Sequence, residues 1–386
     1  MREIGVGMVG YKFMGKAHSN AYFTVSKFFD LEAVPVMRCI AGRDAAGVKA
    51  AAERLGWQSH TTDWKEMVRR DDIDMIDISA PSIAHRDVAV AAAENGKHIF
   101  CEKPLAFTVE EGVEMVRAAQ EAGVKHMIGF NYRRVPALAL ARQLIDEGRI
   151  GRVHHVRCTY LQDWLVDPGF PMNWRLRKSQ AGSGAHGDLG AHLVDTAHFL
   201  VGEIDEVIGM ATTFIAERPA EGTSDGLTAT AGEGTEKVDV DDATLFLAKF
   251  RNGALGSFEA TRFATGRKNF NRIEINGSEG SLAFCFERMN ELDVFLRSDP
   301  EHARGFRTIL ATEGCHPYAG HWWPPGHVLG YEHTFVHEVA DLVESITAGT
   351  PATPDFTDGL KVQCVLDTVD RSIASRAWEK VSVPEV

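Results

Sequence analysis

The stretch "VGYKFMGKAHS" (residues 9–19) decides the fold. It follows an apolar run, "EIGVGMV" (3–9), and leads into a segment that reads as a helix. A strand that turns through glycines into a helix N-terminus presents backbone N–H groups to a diphosphate. Two frames compete for the G-x-G-x-x-G pattern. Gly5-x-Gly7-x-x-Gly10 satisfies the spacing but lies inside the strand, with no helix start behind it. Gly10-x-Lys12-x-x-Gly15 sits at the turn itself, with a lysine where the central glycine belongs. We read the second frame as a cofactor loop. Gly10 makes the tight turn, Gly15 lets helix and strand pack closely, and Lys12, Phe13 and Met14 stand at the helix start. Lys12 then partly covers the diphosphate or reaches toward the adenosine ribose. The alternative is a glycine-rich turn with a purely structural task.

Working outward, the first 130 residues alternate strand-like and helix-like segments. "VPVMRCIAG" (34–42), "IDMIDISA" (73–80), "KHIFCEK" (97–103) and "VKHMIGF" (124–130) are short β-rich runs. Between them, "DAAGVKAAAERLG" and "AHRDVAVAAAENG" are Ala-rich and close on glycine, a helix C-terminal signal. "TVEEGVEMVRAAQEAG" opens with Thr108 and Glu111 in capping-box register. This alternation predicts a doubly wound parallel sheet, a Rossmann-type α/β domain over residues 1–129. After residue 130 the pattern changes. One helix and a strand precede a glycine-rich segment and a second helix, and then strand-like runs follow in series. Asn252-Gly253 between two of them is a hairpin signal. Residues 130–386 therefore read as an α+β domain with a large, mostly antiparallel sheet. Segment 217–238 reads as a surface loop, and 298–330, with "CHPYAGHWWPPGH", as a long irregular one.

The end of the second strand bears on the dinucleotide. An NAD site usually offers a carboxylate there to the ribose 2′-hydroxyl, whereas an arginine accommodates a 2′-phosphate. "CIAGRD" places Gly42 and Arg43 at that point, with Asp44 one step further. The displaced acid, Arg43 and Lys12 lean toward NADP. NAD stays open, because Asp44 can turn inward and leave Arg43 a solvated loop residue.

Composition narrows the class. The chain has 386 residues, 44% hydrophobic and 25% charged, with a formal net charge of −13. That charge argues against a nucleic-acid or anionic-membrane partner. No run approaches the roughly 18 to 20 apolar residues of a membrane span, and "MREIGVG" carries no signal pattern. Six scattered cysteines without C-x-x-C spacing read as reduced thiols, so a cytoplasmic location is expected. A small-molecule enzyme is the favoured class.

Three motifs carry the chemistry: "GKAH" (15–18), "CEKPLA" (101–106) and "GDLGAHLVD" (187–195). Lys103 lies just past the fourth strand, at the carboxyl edge of the sheet where open α/β folds bind ligands. There a lysine can donate to a substrate hydroxyl, with Glu102 orienting the site. Asp188, His192 and Asp195 fall at i, i+4 and i+7 on one helix stripe, opposite Leu189, Leu193, Ala197 and Leu200. A histidine with a carboxylate one turn to either side suits a proton acceptor held in one tautomer. The alternative is a wet face that is rich in His and Asp.

In the same order and the same elements, these motifs resemble the glucose-fructose oxidoreductase / inositol dehydrogenase / rhizopine-catabolism family. The resemblance runs through to "DGLKVQCVLDTV" (358–369). "FNYRRVPALALA", "TYLQDW", "AGSGAHGDLGAHLVD" and "GHVLGYEHTFVHE" are similar to its levoglucosan dehydrogenase-like members. The resemblance implies a cis Lys103-Pro104 bond and a catalytic set of Lys103, Asp188 and His192. The expected reaction passes a hydride from a secondary hydroxyl, at C3 of a pyranoside or 1,6-anhydro sugar, to NAD(P). Pro81 and His85, after the third strand, are expected near the nicotinamide, with Glu102 and Lys103. Asn131, Tyr132, Arg133, Gln162, Trp174 and Arg175 are candidate sugar contacts beside Asp188 and His192. Asp163 and Trp164 flank Gln162. A homo-oligomer, dimer or tetramer, is expected through an open sheet face. Inositol dehydrogenase is the nearest rival, followed by a retained-NAD glycoside-cleaving enzyme and a non-catalytic sugar sensor. His333 and His337 lack H-E-x-x-H spacing, and no metal is predicted.

Overall fold

A computed structural model describes residues 2–224 and 229–386. Its first sheet is six-stranded and entirely parallel, in the order β3-β2-β1-β4-β5-β6. The strands are β1 Arg2–Val9, β2 Ala33–Ala41, β3 Ser59–Thr61, β4 Met75–Ile78, β5 His98–Glu102 and β6 His126–Gly129. Five of them are the apolar runs read from sequence. β3 has three residues and too little pattern to be seen. Helices α1 Phe13–Val25, α2 Ala45–Leu55, α3 Trp64–Met67, α4 His85–Glu94 and α5 Val109–Ala122 make the crossovers. Gly56 and Gly123 end α2 and α5 in the left-handed region, which a glycine enters at no steric cost. Thr108 Oγ1 accepts from the Glu111 N–H, while the Glu111 carboxylate reaches one residue further back, to the Phe107 N–H.

The second sheet has nine strands, in the order β16-β15-β14-β13-β7-β12-β11-β8-β17. They are β7 Val153–Leu161, β8 Ile204–Thr212, β11 Ala243–Phe250, β12 Leu255–Thr261, β13 Phe270–Gly277, β14 Gly280–Cys285, β15 Glu291–Leu296, β16 Arg307–Leu310 and β17 Glu379–Lys380. Every neighbouring pair is antiparallel except β7 with β12. The Asn252-Gly253 hairpin joins β11 to β12, with Gly253 at φ 88°. Segment 217–238 departs from the loop reading. Its described residues pair as a hairpin, β9 Glu217–Ser224 with β10 Ala229–Lys237, and 225–228 lie outside the described residues. Its Gly and Thr content hid the strands, because neither edge alternates in hydropathy.

Helices α6 Pro136–Asp146, α7 Lys178–Ala181 and α8 Ala191–Leu200 belong to the second half, with α9 Tyr331–Ala348 and α10 Phe356–Ser375 closing the chain. α9 returns to the first sheet, where Val336, Val339 and Val343 share a core with Ala21, Tyr22 and Val25 of α1. α10 touches α5 and β6 on one side and β8 on the other. The carboxyl ends of β4 and β5 thereby face the helix α8 and the ends of β7 and β12.

Candidate active site

The turn after β1 is built for close backbone approach. Gly10 has φ 110°, and a Cβ there would sit 2.5 Å from the Ser79 carbonyl oxygen. A Cβ on Gly15 would meet the Gly10 carbonyl at 2.4 Å. No side chain caps the start of α1. Lys12 and Phe13 are exposed, the Phe13 ring lies parallel to Tyr331, and Met14 packs inward. The lysine at the central glycine position thus stands off the turn rather than filling it.

At the end of β2, Asp44 does not turn inward: its Oδ1 caps α2 by accepting from the Ala46 N–H at 3.1 Å. Arg43 is exposed and makes no hydrogen bond or ion pair among the described residues. A residue missed from sequence occupies this place. The Tyr11 ring lies so close to Gly42 that a Cβ there would be 2.3 Å from it. Gly42 therefore makes room for Tyr11.

His85 corrects an expectation. It is buried, with Nδ1 at 3.0 Å from the Pro104 carbonyl and Nε2 at 2.9 Å from that of Ala80. Burial lowers the pKa of this ring, so it is neutral and donates from one nitrogen at a time to these carbonyls, bracing the turn around the cis Lys103-Pro104 bond from a buried place. Pro81, beside it, is exposed. The Glu102 carboxylate is likewise committed, to His18 and to the Lys103 N–H, which leaves only its backbone for a ligand.

The glycine-rich segment before α8 is pinned by Asp241, which accepts from the N–H groups of Gly184 and His186 at 2.7 and 2.8 Å. Gly184 must be glycine, since a Cβ would meet the Asp241 carbonyl at 1.8 Å. Residues His186–Gly190 then form a π-helical turn, an irregularity found often at functional sites. It lies upstream of His192 and Asp195, which keep their spacing in α8, yet among the described residues neither carboxylate hydrogen-bonds to His192, so the expected carboxylate-held imidazole does not form. Asp188 instead receives Lys103 Nζ at 3.0 Å and Arg262 Nη2 at 2.8 Å. Burial alone would raise its pKa, but Lys103, Arg262 and Arg175 hold it well below the ordinary carboxylate range. Asp195 faces away, in a buried three-bond pair with Arg133 at 2.6 to 3.1 Å. The Arg133 guanidinium thus spends its Nε and Nη2 donors on α8.

His192 has no hydrogen-bond partner among the described residues; its Nδ1 is fully buried while Nε2 keeps access to open space. The Tyr132 ring stacks on it at 4.3 Å. Burial first, and then the Lys103 cation, push its pKa well below the usual value, so the imidazole is neutral at pH 7. Tyr132 passes a hydroxyl chain to Tyr160 at 2.7 Å, then to Asn269 at 2.7 Å, which also receives the Gln162 amide at 3.0 Å. Gln162 in turn accepts from the Trp164 indole, and the Arg262 guanidinium lies 5.3 Å from that ring. Arg175 lies over Trp174 at 4.3 Å and is felt electrostatically by Asp188. Asn131 leaves the set, its amide donating to Thr334 at 2.8 Å. Asp163 is held by Lys268. Arg262, Tyr160 and Asn269 were not foreseen: Arg262 follows β12 and Asn269 precedes β13 outside any quoted motif, and Tyr160 lies within "TYLQDW" but reaches the site only through its hydroxyl chain.

A neutral histidine, a lysine and an aromatic, amide-rich wall beside a glycine turn define a nicotinamide-dependent oxidoreductase that works on polar substrates. Comparison places it further. Residues 4–130 match the oxidoreductase family with an NAD-binding Rossmann fold, and 138–283 match the GFO/IDH/MocA C-terminal domain. The chain belongs to this family. It is 45% identical to levoglucosan dehydrogenase of Pseudarthrobacter phenanthrenivorans over the whole length of both chains. A crystal structure of an oxidoreductase domain protein from Kribbella flavida superposes with a TM-score of 0.94 at 52% identity, covering both chains fully. Levoglucosan dehydrogenase in complex with NADH and levoglucosan superposes with a TM-score of 0.93 at 44% identity, over 98% of this chain and 100% of that one.

Proposed function

We propose that the protein is an NAD(P)-dependent sugar dehydrogenase that oxidises the C3 hydroxyl of a 1,6-anhydro sugar or pyranoside such as levoglucosan. The observation that carries this reading is His192: a neutral imidazole, stacked on Tyr132, that feels the Lys103 cation. Residues 1–129 hold the dinucleotide and 130–386 supply the sugar wall. Gly10, Lys12, Phe13 and Met14 lie along the diphosphate, and Tyr11, Gly42 and Arg43 meet the adenosine side. When bound, the nicotinamide supplies the hydride acceptor.

The chain's own residues handle the proton and the oxygen. With a proton on Nδ1, His192 takes the hydroxyl proton at Nε2. Lys103 has three N–H donors. Two go to the Asp188 carbonyl and carboxylate, which leaves one for the developing oxyanion. Asp188 fixes that lysine and is itself kept charged by Arg262. Gln162, Trp164, Trp174 and Arg175 offer the apolar faces and polar edges that orient a sugar ring, with Tyr132 packed behind His192.

We take NAD as the working dinucleotide, supported by the NADH held by the related levoglucosan dehydrogenase. The lean toward NADP rests on Lys12 and the exposed, unpartnered Arg43. A second copy of the chain is the expected partner, through the outer face of β8, β11 and β12, where Met210, Leu245, Leu247 and Leu255 are exposed. All six cysteines are unpaired, which suits a reducing cytoplasm. Among the described residues no helix is long and apolar enough to cross a membrane.

The test is the initial rate of nicotinamide reduction over levoglucosan, methyl glucosides, glucose and inositols. Turnover of anhydro sugars or pyranosides well above inositols supports the reading. Preferred inositol turnover, sugar cleavage without net reduction, or binding without turnover would each replace it.

A further inference from the structure

His18 lies in the second turn of the cofactor-loop helix α1 and is completely buried. No step assigned above uses it. Its Nδ1 is 2.8 Å from Asp77 Oδ2 and its Nε2 3.1 Å from Glu102 Oε1, so each ring nitrogen faces a carboxylate. Neither of those oxygens has a hydrogen to give as a carboxylate, so both contacts are satisfied together only when the ring carries two protons. The anchors extend outward from there. Asp77 also accepts from Tyr22 at 2.7 Å on α1 and from Ser79 at 2.7 Å past β4. The second oxygen of Glu102 accepts the main-chain N–H of Lys103 at 3.0 Å. A Cβ on Gly129 would come within 3.1 Å of Glu102 Oε1, so β6 closes the last side. The imidazole is also stacked on Phe100 at 4.8 Å.

We infer that His18 is a positioning residue: an imidazolium that, through Glu102, fixes the backbone of Lys103 in register with the helix that carries the dinucleotide loop. This inference rests on the dehydrogenase reading for its kinetic consequence, though not for its charge state. Burial opposes a charge on this ring, but Asp77 and Glu102 outweigh it and push the pKa up to about 10. The arrangement explains why two carboxylates persist in a dry core within reach of one histidine. It also explains how the two halves of the reaction geometry are tied. The hydride acceptor is set by α1 and the oxyanion donor by the end of β5, and His18 is the bond between them.

Two variants separate positioning from bulk stability. In H18Q the amide donates to Asp77 but turns its carbonyl toward Glu102, and the chain to Lys103 breaks. In H18Q/E102Q the new amide at 102 donates to that carbonyl and still accepts from the Lys103 N–H, so a neutral chain is rebuilt. The probe is NADH binding by fluorescence, used to count folded sites, with kcat measured per site on the best sugar of the panel. We expect kcat in H18Q to fall by about 10-fold or more with the sugar KM little changed, and most of it to return in H18Q/E102Q. Equal kcat per binding site in the wild type and H18Q would overturn the inference, even if H18Q melts earlier. Should H18Q fail to fold, 15N NMR of the wild-type His18 ring decides: both nitrogens protonated at pH 8 is expected, and a neutral ring overturns it. A wild type that is silent on every sugar would sink the dehydrogenase reading instead and leave the NMR result standing.

Discussion

Lys103 Nζ donates to both the backbone carbonyl and the carboxylate of Asp188, each at 3.0 Å. One residue, from the π-helical turn, thereby takes two of the lysine's three donors and aims the third. Asp188 gains a second cation at Arg262, so the lysine is held by a carboxylate that stays ionised. The first expectation follows. K103M lowers kcat/KM by about 100-fold or more, the usual scale for a positioned proton-transfer or oxyanion group. Its melting temperature changes little, because Arg262 still partners Asp188. Initial rates beside a thermal melt check both halves.

The pH profile reports His192. Its folded pKa is depressed by burial and by Lys103, so the ring stays neutral, and active as a base, to below pH 6.5. The acid limb of kcat/KM in the wild type should therefore lie below that value. Removing the Lys103 cation relieves part of the depression, so the residual activity of K103M should show its acid limb moved to higher pH. An acid limb unmoved by the substitution would mean that another group sets it.

Arg133 and Asp195 form a buried pair that takes up the Nε and Nη2 donors of the guanidinium. R133M leaves a buried carboxylate unpaired and should cost about 3–5 kcal/mol of stability. R133M/D195L should recover much of that loss, with a sugar KM close to that of the wild type. Denaturant unfolding and sugar titration of both variants test this. A KM raised about tenfold in the stable double variant would return Arg133 to the binding site.

Glu338 gives a stability prediction with a definite sign. Burial, partly offset by Arg134, pushes its pKa up to about 8, and neither carboxylate oxygen finds a hydrogen bond. Between the unfolded value of 4.5 and about 8 the folded state holds a proton that the unfolded chain has lost. Its contribution is therefore full below pH 4.5 and is lost as pH rises through 8. E338Q should flatten the decline in melting temperature between pH 6 and 9, and a decline as steep as in the wild type would contradict this.

Arg43 carries the expectation about the dinucleotide. R43A should reduce kcat/KM for NADP and leave that for NAD within a factor of about two, since only a 2′-phosphate needs the guanidinium. Equal losses with both dinucleotides would assign Arg43 to a contact they share.

Much of this architecture was legible in the chain, for reasons that are local. The apolar strand before Gly10, the capped Ala-rich helices and Asn252-Gly253 each carry their signal within a few residues. Lys103, Asp188 and His192 were found through motifs, and the structure brings them to one place. What the motifs did not carry was partnership. Asp195 keeps its α-helical spacing from His192 within α8, but its carboxylate is taken up by Arg133, a partner 62 residues earlier in the chain. Arg262 reaches Asp188 only through the pairing of β12 with β7, a relation across about a hundred residues. His85 resembled a ligand contact but lies buried against three carbonyl groups, which no sequence pattern announces. Tyr11 and His18 lay inside the opening stretch, yet their roles depend on Gly42 and Glu102, on other strands.

The most direct measurement of the central claim is the fate of the C3 hydrogen. Levoglucosan carrying deuterium at C3 should reduce NAD with a slowed rate, place the deuterium in the reduced nicotinamide and yield a C3 ketone. Turnover that leaves the deuterium on the sugar would show oxidation at another carbon and contradict the account.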